Sequence, residues 1–204
     1  MLRDVLLGDV DGDGVFDKVA LVRLRRGESR CGAVLVARTA AGTLTRAFPT
    51  IPDPRFPSLN GLASLGPGPG LQIVVTTWEG ASTAFASVFV VRHGKISQLQ
   101  RGAAAETFGN DFAYEGSVTH LDAVDCVRGH PGLVVASGWF ERGSSGRRFG
   151  FFRHFYRVAP DRFVLDRSQS GASRSPFPIL RRLPEFSEPQ PFPSCMRVRA
   201  GGGG

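Results

Sequence analysis

Three stretches of this chain run through the same order of features. Each has a short apolar strand, a Gly-rich loop, a β-branched strand, a small or charged turn, a long apolar strand, a tight turn and a last alternating strand. They cover about residues 4–48, 59–100 and 118–165, and Val19, Ile73 and Val134 occupy equivalent places in them. A period of that size means stacked supersecondary units, because one such unit cannot bury its apolar face alone. Alternation in Ala86-Ser87-Val88-Phe89-Val90-Val91 and the aromatic run from Phe149 to Tyr156 read as half-buried and mostly buried strands. The best helical composition, Arg101 to Gly109, reads as a connection between the second and third units. The expected fold is all-β: three four-stranded antiparallel units in a propeller-like or partial-propeller arrangement, with a β-sandwich or barrel as the alternative. Residues 1–200 form one domain, in which the Pro-rich segment 175–200 closes the open edge between the first and last units, and residues 201–204 are a disordered glycine tail.

The loop of the first unit differs from the other two. DVDGDGVFD puts Asp9, Asp11, Asp13 and Asp17 within one turn of a chain whose net charge is +7. Like charges about 5 Å apart repel by roughly 3 kcal/mol at an effective dielectric near 20, so a cation belongs among them. Alternate residues of a tight loop aim oxygens at one point, glycines supply the φ > 0 turns, and Ca²⁺ takes six to eight oxygen ligands. An EF-hand would need a Glu at position twelve, where this chain has Ala20, and helical flanks, where it has Val5-Leu6-Leu7 and Val19-Ala20-Leu21-Val22. The site is therefore strand-loop-strand, with side chains from Asp9, Asp11, Asp13 and Asp17 and the carbonyl of Val15. A solvated acidic turn without metal is the alternative. The matching loops, Gly66-Pro67-Gly68-Pro69-Gly70 and Arg128-Gly129-His130-Pro131-Gly132, offer no carboxylate.

GDVDGDGVFDKVALV resembles the calcium loop of FG-GAP and VCBS-type repeats, the blades of integrin-α-like β-propellers and of many secreted bacterial proteins. The likeness covers the first hairpin of one blade. It implies a Ca²⁺ cofactor, a β-propeller setting and a role in binding or adhesion to a protein or glycan ligand.

Length and composition agree with a chain that builds its own core. No apolar run reaches the ~20 residues of a membrane span. The basic excess is almost all arginine, and its clusters, Arg23-Leu24-Arg25-Arg26, Arg147-Arg148 and Arg181-Arg182, are dispersed, which makes nucleic acid an unlikely partner. Of three cysteines, Cys126 and Cys195 make the plausible pair: one follows the first strand of unit three and the other sits in the tail that has to be fastened. Cys31 is left over as a small buried residue. Three free cysteines in a reducing cytosol are the alternative. Met1-Leu2-Arg3 leads into the first strand without a signal peptide, yet a disulfide and a calcium loop both favour an extracytoplasmic location.

His93, His120, His130 and His154 belong to no recognised catalytic pattern. His120 and Asp122 share a strand face at period two, with Asp125 and Glu79 as further candidates. They define the rival function, a secreted hydrolase or carbohydrate-active domain, and convergence of His120, Asp122 and Glu79 in one pocket would favour it.

Overall fold

In the computed structural model, the described residues are 5–23, 31–49, 55–66, 68–101, 109–117, 119–127, 132–143, 146–174 and 180–200, without the side chains of Cys31, 141–143, 146 and 147. The expectations for Cys31, the Arg101–Gly109 connection, the Arg128–Gly132 loop and residues 201–204 fall wholly or largely outside them. So do Arg25 and Arg26.

The chain is all-β, and its strands pair antiparallel throughout. The first unit is as expected: β1 (Val5–Gly8), β2 (Asp17–Arg23), β3 (Cys31–Thr39) and β4 (Gly42–Pro49) form a four-stranded meander. Along β3, Ala33, Leu35 and Ala37 are buried while Val34, Val36 and Arg38 are not, which is the period-two signature of a sheet with one core face.

The other two units are not separate four-stranded sheets. The second contains β5 (Ser58–Ala63), β6 (Gln72–Glu79), β7 (Ala84–Arg92) and β8 (Lys95–Gln98), and the third contains β10 (His120–Cys126), β11 (Leu133–Gly143), β12 (Gly146–Val158) and β13 (Phe163–Ser173). Between them lies β9 (Phe112–Gly116), a strand beyond the Arg101–Gly109 connection to which the sequence pattern assigned no element. β8 covers only the C-terminal half of β7, from Phe89 to Arg92. The other half, Ala84 to Ala86, pairs with β9, and β9 also pairs with β10. The two units therefore merge, and with β14 (Met196–Arg199) added to the outer edge of β5 the sheet has ten strands. Neither sheet closes on itself.

The core explains this layering. One cluster joins Val19, Leu21 and Leu35 of the first sheet to Ile73, Val75, Phe89 and Val91 of the second unit. A second cluster joins the opposite parity of those same strands, Val74, Val88 and Val90, to Leu133, Val135 and Tyr156 of the third unit and to Phe192 of the tail. β6 and β7 are thus buried on both faces, which is why they read as near-continuous apolar runs.

The tail bridges the units. Its strand β14 extends the second unit at β5 and also lies against β1 of the first. Its anchorage is in the third: Cys126 and Cys195 are disulfide-bonded with Cα atoms 5.8 Å apart. Asp125 accepts from the Ser194 N–H at 2.8 Å and the Ser194 hydroxyl at 2.6 Å. Just before it, a short 3-10 turn (Pro184–Ser187) covers Phe149 and Phe151 with Leu183, and Arg153 pairs with Glu185 at 2.6 Å.

Candidate metal centre

The acidic loop is the connection between β1 and β2, which pair from Val5↔Ala20 to Gly8↔Asp17. Two glycines allow it to turn so tightly: Gly12 and Gly14 have φ of 84° and 86°, a left-handed region costly for other residues. The loop also rests on the second unit. The Asp9 carbonyl accepts from the Leu71 N–H at 2.7 Å, and a Cβ at Gly12 would come within 2.8 Å of Pro69. The proline-glycine loop that offers no carboxylates of its own buttresses the one that does.

Carboxylate oxygens of Asp9, Asp11 and Asp17 lie within 4.8 Å of one another. Their remaining hydrogen bonds come from the loop backbone: Asp9 accepts from Gly12 at 2.6 Å and Gly14 at 2.9 Å, and Asp17 Oδ2 accepts from Val10 at 2.8 Å. Asp17 is 1 % exposed, and its Oδ1 is buried with no hydrogen-bond partner. Burial raises its pKa first; backbone hydrogen bonds from Val10 and Asp11 oppose that rise, and the charges of Asp11 and Asp13 add to it. Asp13 stands apart, its Oδ1 accepting from the Val15 N–H at 2.7 Å across a local turn, and the Val15 side chain faces solvent. Of the expected ligand residues, three side chains meet. A cleft of about 450 Å³ opens beside Asp11, walled by Thr39, Leu44, Leu71, Arg92 and His93, and gives solvent a route to that side of the loop.

The donor set suits a hard cation. It is all oxygen, crowded, and includes one buried oxygen, Asp17 Oδ1, without a well-formed hydrogen bond among the described residues.

The rival polar centre assembles only in part. His120 Nε2 lies 3.6 Å from Asp122 Oδ2, and Asp122 Oδ1 accepts from Ser137 at 2.6 Å. Burial raises the Asp122 pKa, while the Ser137 hydrogen bond and His120 oppose the rise. Thr83 and Ser117 hold the two imidazole nitrogens at 2.9 and 3.0 Å, contacts that the sequence reading missed because they come from neighbouring turns. Glu79 pairs with Arg55 at 4.0 Å and is felt by Glu115, the cross-strand partner of Asp122; the Glu115 pKa is raised first by burial and then by Glu79. Asp125 serves the tail. Comparison with protein-family models, characterised proteins and solved structures returned no match.

Proposed function

We propose that this chain is a non-enzymatic calcium-binding β-domain that serves binding or adhesion outside the cytoplasm, its metal held in the β1–β2 loop. The first meander then corresponds to a blade-like unit of the FG-GAP and VCBS kind. The observation that carries the reading is Asp17 Oδ1, a carboxylate oxygen buried without a partner among two further carboxylates. A buried carboxylate crowded by two others and left with an unsatisfied oxygen is expensive, and a divalent cation is the simplest group that removes the cost. The spacing of the acidic residues and the two left-handed glycines support the same conclusion from the sequence side. Ca²⁺ is favoured over Mg²⁺ because a loop of flexible carboxylates suits a large, irregular oxygen shell better than a strict octahedron. The disulfide supports an oxidising compartment.

The test is direct. Calorimetric titration of EDTA-stripped protein should show one saturable Ca²⁺ site that Asp11→Ala and Asp17→Asn both remove. Heat indistinguishable from buffer dilution in the wild type would sink the proposal.

A further inference from the structure

The large apolar side chains that the fold leaves exposed are unevenly placed. Among the described residues they are Val5, Leu7, Val15, Phe16, Trp78 and Leu165, and four of these six lie on the β1–β2 hairpin. Val5 and Leu7 are 51 % and 52 % exposed, and Phe16 is 78 % exposed. An exposed phenylalanine at a loop tip contributes nothing to the core, whose members on this hairpin are Leu6, Val10, Val19 and Leu21.

The register shows what surrounds them. Leu7 pairs with Lys18, Lys18 with Arg38 and Arg38 with Thr43, forming a row across the outer face of the first sheet. The next row is Val5, Ala20, Val36 and Thr45. Val22, Val34 and Ala47 follow. Lys18 and Arg38 are exposed, and among the described residues this face carries no carboxylate. It is apolar, hydroxylic and cationic. Phe16, directly before β2, continues the parity of Lys18 and Ala20.

We infer that this face is a peripheral docking surface for anionic phospholipid bilayers, with Phe16 and Leu7 entering the headgroup–acyl boundary and Lys18 and Arg38 meeting the phosphates. Charge complementarity selects the occupant: apolar tips flanked by cations, in a chain of net charge +7, match an anionic interface. The inference rests on the calcium reading in one respect. The four aspartates of the loop sit at the same end as Phe16 and repel an anionic surface unless a cation offsets them, so docking strengthens when calcium is bound.

Flotation with phosphatidylserine–phosphatidylcholine vesicles tests this, with pure phosphatidylcholine vesicles as the neutral control and Ca²⁺ binding measured separately by calorimetry. Calcium-loaded protein should float with the anionic vesicles only, and more weakly in EDTA. Phe16→Ser should reduce the vesicle partition coefficient about tenfold or more, because one apolar side chain of that size is lost from the interface. Lys18→Glu with Arg38→Glu should do likewise, and both variants should bind Ca²⁺ normally because these side chains lie outside the carboxylate cluster. Calcium-loaded wild type that stays with the soluble fraction overturns the inference, as does Phe16→Ser floating like wild type. Protein that binds no Ca²⁺ yet floats through Phe16 and Lys18 would overturn the calcium reading and support the docking face.

Discussion

Asp17 and Asp13 have the same chemistry and opposite surroundings. Asp17 is buried with one oxygen unsatisfied, whereas Asp13 is exposed and caps its own turn. Asp17→Asn keeps an acceptor for the Val10 N–H and removes the buried charge. In EDTA its melting temperature should therefore equal or exceed that of wild type, while its response to Ca²⁺ disappears; a clear loss of stability in EDTA would mean that the carboxylate is structural. Asp13→Ala should weaken calcium binding without abolishing it, unlike Asp11→Ala. A second buried group sets the alkaline limit. Tyr114 is 5 % exposed, its hydroxyl 2.6 Å from Thr76, and burial pushes its pKa up to about 12 from an ordinary 10.0. A folded pKa above the unfolded one means that the stabilisation is whole below pH 10 and is lost as pH rises towards 12. The loss amounts to about 3 kcal/mol for a two-unit shift. Urea melts between those pH values should show the decline, and Tyr114→Phe should flatten it.

The hairpins illustrate what local sequence can and cannot carry. β1 to β8 and β10 to β13 were legible because alternation and turn residues are neighbours in the chain. β9 was not: Phe112–Gly116 is a short strand that fits between Ala84–Ala86, left open where β8 stops, and Leu121 and Asp122 of β10. β14 was hidden for the same reason, since Met196–Arg199 is only four residues long and finds its partner far back in the chain at β5. The acidic loop was legible because its spacing and its glycines are local, but the Asp13 contact with the Val15 N–H was not, because spacing does not reveal which carboxylate will cap its own turn. Gly12 and Gly14 separate two contributions. Both are left-handed, yet a Cβ at Gly12 would strike Pro69 whereas nothing lies within 4 Å of one at Gly14. Asparagine tolerates that backbone region. Gly14→Asn should therefore leave calcium affinity and melting temperature nearly unchanged, and Gly12→Asn should cost about 1–3 kcal/mol and loosen the site. Equal effects would show that the second-unit loop does not buttress the first.

At the scale of the whole molecule, one covalent tie fastens the tail where the sheets do not close. Replacing Cys126 and Cys195 together by serine opens a bridge across 69 positions and should lower stability by about 4 kcal/mol in the chain-entropy model, less whatever the Asp125–Ser194 contacts retain. Denaturant melts of the oxidised and double-serine proteins measure it directly. The proposed metal would be a second tie, one that belongs to folding as much as to binding, because the unfolded chain holds no preformed loop. With Ca²⁺ at about a hundred times its dissociation constant, linkage adds roughly 2.7 kcal/mol. The most direct test of the account is the melting temperature of EDTA-stripped protein followed through a Ca²⁺ titration, with Mg²⁺ in parallel and Asp11→Ala as control. The account predicts a rise with Ca²⁺ that saturates, a smaller one with Mg²⁺ and none in the variant. A melting temperature the same in calcium and in EDTA would contradict it, leaving DVDGDGVFD as an acidic turn.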